Sequence, residues 1–192
     1  QKGFFMRVIA GVARSIPLKS VKGDKTRPTT DRIKETLFNI INPYLYDAYV
    51  LDLYAGAGGL GIEALSRGAK RAVFVDKSKE AVSVIKENLD KTHFSDKADI
   101  YTGDVSDMCA TMNADGPFDV IIMDPPYGRG YWRNVLSLLS KTRLVNENTL
   151  VVVEEDLSDD LEEGNIYGGF KLNRIKNYRH NRHLFFSLSK NI

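Results

Sequence analysis

Two short runs of the sequence concentrate the residues able to do chemistry. Asp52-Leu53-Tyr54-Ala55-Gly56-Ala57-Gly58-Gly59-Leu60-Gly61 sets Gly56, Gly58 and Gly61 at the spacing G-x-G-x-x-G behind an acid. Glycines there let backbone approach a ligand closely, and free N–H groups at the start of a following helix attract an anion. Asp76 lies 20 positions beyond Gly56, placed to accept hydrogen bonds from ribose hydroxyls. The glycine spacing alone serves a nicotinamide dinucleotide and any other nucleoside cofactor equally well, and a tight turn with no ligand is the third alternative. The second run, Asp124-Pro125-Pro126-Tyr127, is more selective. Consecutive prolines forbid a helix and supply no N–H, so the chain is held extended with its carbonyls free to accept. Asp124 and a proline carbonyl can then take both hydrogens of an exocyclic amine while the Tyr127 ring stacks on the base that carries it. A nicotinamide enzyme has no use for such a clamp; the alternative is a plain strand terminator with a packed tyrosine.

Both runs sit where strands end. Residues 50–55 form a short, mostly apolar run that breaks at Gly56, and 60–67 then read as a helix ended by Gly68. Strand-like runs recur at 71–76, 100–103, 118–124 and 149–155, with helical spacing between them: Ala81, Ile85 and Leu89 share one face, Val135, Leu138 and Leu139 another. Strands apolar on both faces and alternating with helices predict an α/β domain with a doubly wound, mostly parallel sheet. Residues 171–178 and 183–188 have only a polar break between them and read as an antiparallel pair closing one edge. Before the sheet, Ile33, Leu37, Ile40 and Ile41 fall at helical spacing from Asp31, with Thr30 as cap and Pro43 as stop. Residues 7–10 and 17–21 read as a short hairpin on a basic arm spanning 6–30, leaving 31–192 as the main domain. Residues 1–5, ahead of Met6, read as an expression remnant.

Composition narrows the class. The chain has 192 residues, 43% hydrophobic and 27% charged, which suits one sizeable core. Its single cysteine, Cys109, leaves nothing for an intramolecular disulfide and suits a reducing cytoplasm. His180 and His183 lack the four-ligand spacing of a zinc site, so no metal is expected. No apolar run reaches the roughly 20 residues of a membrane helix. The net charge of +2 conceals a segregation: residues 1–34 carry nine basic groups against Asp24 and Asp31, and residues 164–192 carry six basic groups and no acid. Basic ends around an acidic centre offer a cationic surface to a polyanion such as nucleic acid if the two ends meet; a solvated basic face is the alternative.

The paired motifs resemble the class I S-adenosylmethionine-dependent methyltransferases that act on amino nitrogens. Arg27-Pro28-Thr29-Thr30-Asp31-Arg32-Ile33-Lys34-Glu35 and Gly58-Gly59-Leu60-Gly61-Ile62-Glu63-Ala64-Leu65-Ser66-Arg67 narrow the likeness, being similar to the bacterial RsmD-type 16S ribosomal RNA guanine-N2 methyltransferases. The resemblance implies a seven-stranded Rossmann-like sheet with an antiparallel edge strand. It also implies methylation of the 2-amino group of one guanine in 16S rRNA, within the small ribosomal subunit or an assembly intermediate; a cytoplasmic monomer is expected, though the sequence does not give the oligomeric state.

The implied cofactor set is Asp52, Tyr54, Ala55, Gly56, Gly58, Gly61, Asp76, Lys77, Asp104 and Asp124. Within it Asp52 and the glycine backbone hold the methionine part, Asp76 the ribose and Asp104 the adenine amino group, with helix capping an equal reading for Asp104. The acceptor side comprises Asp124, Pro125, Pro126 and Tyr127. The implied RNA contacts are Arg7, Arg14, Arg27, Arg32, Tyr127 and Arg129, while Thr30, Arg27 and Arg32 can equally fold over the cofactor or form plain surface ion pairs. Three rival functions stay open: adenine-N6 or glutamine-N5 methylation, nicotinamide-dependent oxidoreduction, and RNA binding without catalysis.

Overall fold

The computed structural model of the protein describes residues 6–21, 30–112 and 116–189. Arg27, the segment 1–5 and residues 22–29 of the expected arm lie outside the described residues. Strands β1 (Met6–Arg7) and β2 (Pro17–Leu18) pair antiparallel, so the hairpin is shorter than 7–10 with 17–21. The reason lies in helix α2 (Gly59–Ser66), whose side chains capture the intervening backbone. Glu63 accepts from the N–H groups of Ile9 at 2.8 Å and Ala10 at 3.0 Å, and Ser66 accepts from that of Ala13 at 2.9 Å. Val8, Ala13 and Leu18 are buried in the main core, so this segment packs on the domain.

Helix α1 (Asp31–Ile41) starts at Thr30, whose hydroxyl accepts from Ile33 N–H, and buries Leu37, Phe38 and Ile41. The chain then alternates: β3 (Tyr49–Leu53), α2, β4 (Arg71–Asp76), α3 (Lys79–Thr92), β5 (Ala98–Thr102), α4 (Val105–Thr111), β6 (Val120–Met123), α5 (Tyr131–Leu139) and β7 (Leu150–Asp156). It finishes with β8 (Ile166–Tyr167), β9 (Phe170–Asn177) and β10 (Asn181–Leu188). The strand order is β5-β4-β3-β6-β7-β10-β9-β8, with the first five parallel. Helices α1, α2 and α3 bury their apolar faces in the core on one side of the sheet, α4 and α5 in the core on the other. Strands β3, β4, β6 and β7 are thereby covered on both faces, as their apolar composition requires, while the edge strand β5 stays partly exposed.

Two details depart from the expected seven strands with an antiparallel edge. Among the described residues the sheet has eight strands, and the antiparallel β10 lies inside it, between β7 and β9. Leu184, Phe185 and Phe186 are all buried, so β10 needs cover on both faces and both flanks. In β9, by contrast, buried Phe170 and Leu172 alternate with exposed Lys171 and Asn173, a pattern suited to the outer sheet. The extra strand β8 follows from Gly168-Gly169, both at positive φ, a two-residue turn that folds Tyr167 back against Phe170. None of the described helices is long and apolar enough to cross a membrane.

Candidate active site

The two chemistry-bearing runs leave neighbouring strands. Leu53 of β3 and Met123 of β6 are register partners, so Tyr54 and Asp124 emerge side by side at the carboxyl ends of the sheet. A cavity of about 1310 Å³ opens there, and Asp52, Tyr54, Ala55, Gly56, Asp76, Lys77, Asp104, Asp124, Pro125, Pro126, Tyr127 and Arg129 all line it. A pocket for one small ligand occupies roughly 300–1,000 Å³. This one has room for a nucleoside cofactor and a second planar group together.

Asp52 is only 1% exposed, and its Oδ2 accepts the Gly61 N–H at 2.8 Å. Burial pushes its carboxyl up to about 8 against the opposing pull of that hydrogen bond, with the nearby Asp76 charge adding to the rise. The Asp52 carboxyl group therefore already holds one N–H of the first turn of α2. Gly61 is what permits the arrangement. A Cβ built there would lie 2.3 Å from the Phe74 ring and 3.1 Å from Asp52 Oδ2, so any side chain drives α2 off β4.

Asp76 orders the loop from the next strand tip. Its two oxygens accept from the N–H groups of Gly56 and Ser78, each at 2.8 Å. A carboxylate has about four lone-pair positions, leaving acceptors for a ribose diol. Asp104 caps α4 by accepting from Ser106 N–H at 2.9 Å while its side lines the cavity, so capping and ligand contact are compatible. Tyr54 takes φ 60°, a left-handed conformation that strains a residue with a side chain and that here turns the chain from β3 into the glycine loop.

On the acceptor side Pro125 is buried, Asp124 half-buried and Tyr127 45% exposed. The Tyr127 hydroxyl donates to Glu154 Oε1 at 2.7 Å, which aims its ring along the cavity wall. Glu154, at the end of β7, is 5% exposed and also accepts from Asn181 Nδ2 at 2.6 Å, with His183 Nε2 3.3 Å from its other oxygen. Burial disfavours the Glu154 carboxylate, but hydrogen bonds and charge from His183, Tyr127 and Asn181 outweigh it and hold the group below the usual carboxylate range. Burial and the facing Glu154 together raise the Tyr127 phenol far above its ordinary value, so it stays a donor.

The remaining expected positions scatter. Gly58 and Gly61 shape the turn and the helix start without lining the cavity. Arg129 stands at the rim and donates to the Tyr131 hydroxyl at 3.1 Å. Arg7 is held by Asp31 at 2.8 Å, and Arg14 and Arg32 are exposed; none of the three lines the cavity. The sequence reading missed Glu154, Asn181, Arg179 and His180, all of which do line it. A signal existed for Glu154: it ends a strand of the parallel sheet at the same rim where the other ligand-facing acids sit. Among the described residues no group of three or more His, Cys, Asp or Glu is placed to hold a metal ion.

Residues 6–187, which carry this whole arrangement, match the family profile described as conserved hypothetical protein 95. The chain belongs to that family, the RsmD family. It is 40% identical over 159 residues to Bacillus subtilis YlbH, covering 82% of this chain and 86% of that one. It is 36% identical over 152 residues to the Haemophilus influenzae ribosomal RNA small subunit methyltransferase D, covering 79% of each. The solved structure of Escherichia coli yhhF superposes with a TM-score of 0.82 at 28% identity, over 97% of this chain and 99% of that one. The doubly wound sheet is thus the α/β methyltransferase fold, and the RsmD family match supports the resemblance read from the motifs.

Proposed function

We propose that this protein methylates the exocyclic 2-amino group of a guanine in 16S ribosomal RNA, within the small subunit or an assembly intermediate, using S-adenosylmethionine. The observation that carries the reading is the convergence of two adjacent strand tips, bearing Asp52 and Asp124, on one cavity large enough for donor and acceptor. The donor set fits this cofactor. Acids at Asp52, Asp76 and Asp104 suit a molecule that is cationic at its methionine end and carries ribose hydroxyls and an adenine amine.

When bound, the cofactor supplies a methyl group already activated by a positively charged sulfur. The chain's own residues then have to align, orient and exclude water. Orientation of this kind contributes up to about 7–11 kcal/mol. Asp52 and the loop backbone hold the methionine end, Asp76 the ribose, and Asp104 the adenine edge. Asp124 and the Pro125 carbonyl accept both hydrogens of the target amine, pointing its lone pair at the donor. Guanine N2 is a weak nucleophile because its lone pair is shared with the ring, and these hydrogen bonds localise it and stabilise positive charge growing on nitrogen. Asp124 acts by orientation and charge, not as an obligatory base. Pulling the base from its stack costs a few kcal/mol, of which stacking on Tyr127 returns about 1–3 kcal/mol.

Incubation with labelled S-adenosylmethionine and undermethylated small subunits, followed by digestion to nucleosides, tests the assignment. Label is expected in N2-methylguanosine alone; label in N6-methyladenosine or any other nucleoside rejects the guanine reading.

A further inference from the structure

Behind the Asp-Pro-Pro-Tyr turn a polar chain runs from Tyr127 to buried Glu154, Asn181 and His183, none of which the proposed chemistry uses. Tyr127 donates to Glu154 Oε1 at 2.7 Å, Asn181 Nδ2 donates to the same oxygen at 2.6 Å, and His183 Nε2 sits 3.3 Å from Oε2. His183 Nδ1 is in turn 3.0 Å from the Tyr178 hydroxyl, and the two rings stand edge to face at 5.1 Å. Tyr178 N–H donates to the Asn181 carbonyl at 2.8 Å, closing the β9–β10 turn that carries Arg179 and His180 to the cavity rim. One buried carboxylate therefore fastens two things at once: the half-exposed ring that forms the acceptor wall and the basic turn beside it. A burial this deep disfavours a charged group unless several donors compensate, and here three different side chains do so.

We propose that Glu154 is a positioning residue for methyl transfer, fixing the Tyr127 ring against the target base and locking the Tyr178–Asn181 turn to it. The proposal rests on the methyl-transfer reading above and adds a residue that acts through the Tyr127 ring and the Tyr178–Asn181 turn. Tyr127→Phe keeps the stacking surface but loses the hydroxyl's hydrogen bond to Glu154. A glutamine at 154 keeps a carbonyl oxygen to accept from Tyr127 and Asn181, and its amide can donate to a neutral His183.

The test is methyl transfer to undermethylated small subunits at saturating cofactor and subunit, with cofactor affinity and thermal midpoint measured on the same preparations. Tyr127→Phe and Glu154→Ala are each expected to slow transfer about tenfold or more, since a small misplacement near the reacting atoms is amplified in rate. Cofactor affinity should stay within about twofold, because that site is built by other strands. Glu154→Gln should recover most of the rate lost in Glu154→Ala, and the double variant Tyr127→Phe/Glu154→Ala should be no slower than the worse single one. Tyr127→Phe removes one oxygen from a half-exposed ring, so it carries the test even if Glu154→Ala does not fold. Wild-type rates in Tyr127→Phe, or additive losses in the double variant, overturn the proposal. A wild-type protein that yields no methylated nucleoside overturns the underlying methyl-transfer reading instead.

Discussion

At the scale of single residues, Asp52 and Glu154 show how the same side-chain type is set to opposite purposes by its surroundings. Asp52 has one backbone donor and deep burial, and its carboxyl rises to about 8. Between the ordinary aspartate value and about 8 the folded protein keeps a proton that the unfolded chain has released. The contribution of this group to stability is therefore complete at acid pH and declines as pH climbs toward 8. A cationic cofactor favours the ionised form, so its binding should expel that proton. We expect the affinity for S-adenosylmethionine to improve by up to about tenfold per pH unit on approach to pH 8 and then level off. Titration calorimetry in buffers of different ionisation heat measures both the trend and the proton released, and Asp52→Asn should flatten the pH dependence; an unchanged profile in that variant contradicts the assignment. Asp52 was legible in the sequence because it precedes a glycine run. Glu154 was legible only as one of an adjacent pair with Glu155, because strand-end position alone does not tell which of the two faces the cavity. The fold resolves them: Glu155 takes the Trp132 indole N–H on the opposite face.

Among the elements, helix α2 does most to assemble the site. Its start fits against β4 only because residue 61 lacks a side chain, and Gly61→Ala would place a Cβ 2.3 Å from the Phe74 ring. Overpacking of this sort costs about 1–3 kcal/mol, and here it also pushes the Gly61 N–H away from Asp52. Lower thermal stability together with weaker cofactor binding is the expected result, read by thermal denaturation and calorimetry; retained binding would mean the contact does not order the site. Its other face anchors the N-terminal segment through Glu63, which is fully buried and gathers the N–H groups of Ile9 and Ala10, the Arg67 guanidinium at 2.8 Å and the Lys34 ammonium at 3.5 Å. Removing one partner of a buried ionic cluster costs about 3–5 kcal/mol. Glu63→Ala should lose stability on that order and speed amide exchange at Ile9 and Ala10 before the rest of the domain; uniform protection would contradict this anchoring. The alternating strands and helices were readable because each parallel strand is a short apolar run. The placement of β10 between β7 and β9 was not, since hydrophobic period reports which faces are covered and is silent on which strand lies beside which.

For the whole molecule, the charge segregation gains meaning from where the chain ends go. Ser20 and Val21 at the end of the N-terminal segment, Lys34 of α1, and Arg179, His180 and Asn181 of the β9–β10 turn line the same cavity, so segments from both ends of the chain meet there. The sequence holds both segments but is silent on their meeting, which depends on the crossing of the sheet. RNA binding should weaken steeply with salt, and Arg179→Ala should reduce the slope of log affinity against log salt by about 0.7–0.9, the share of one phosphate contact; an identical slope removes Arg179 from the interface. Single-turnover methyl transfer in Asp124→Ala, with cofactor binding measured alongside, shows whether the β3 tip holds the donor and the β6 tip the acceptor in one cavity. Transfer should fall by about a hundredfold or more, in the range seen when a charge-stabilising contact is removed, with S-adenosylmethionine bound nearly as tightly as in the wild type. Undiminished transfer would contradict that arrangement.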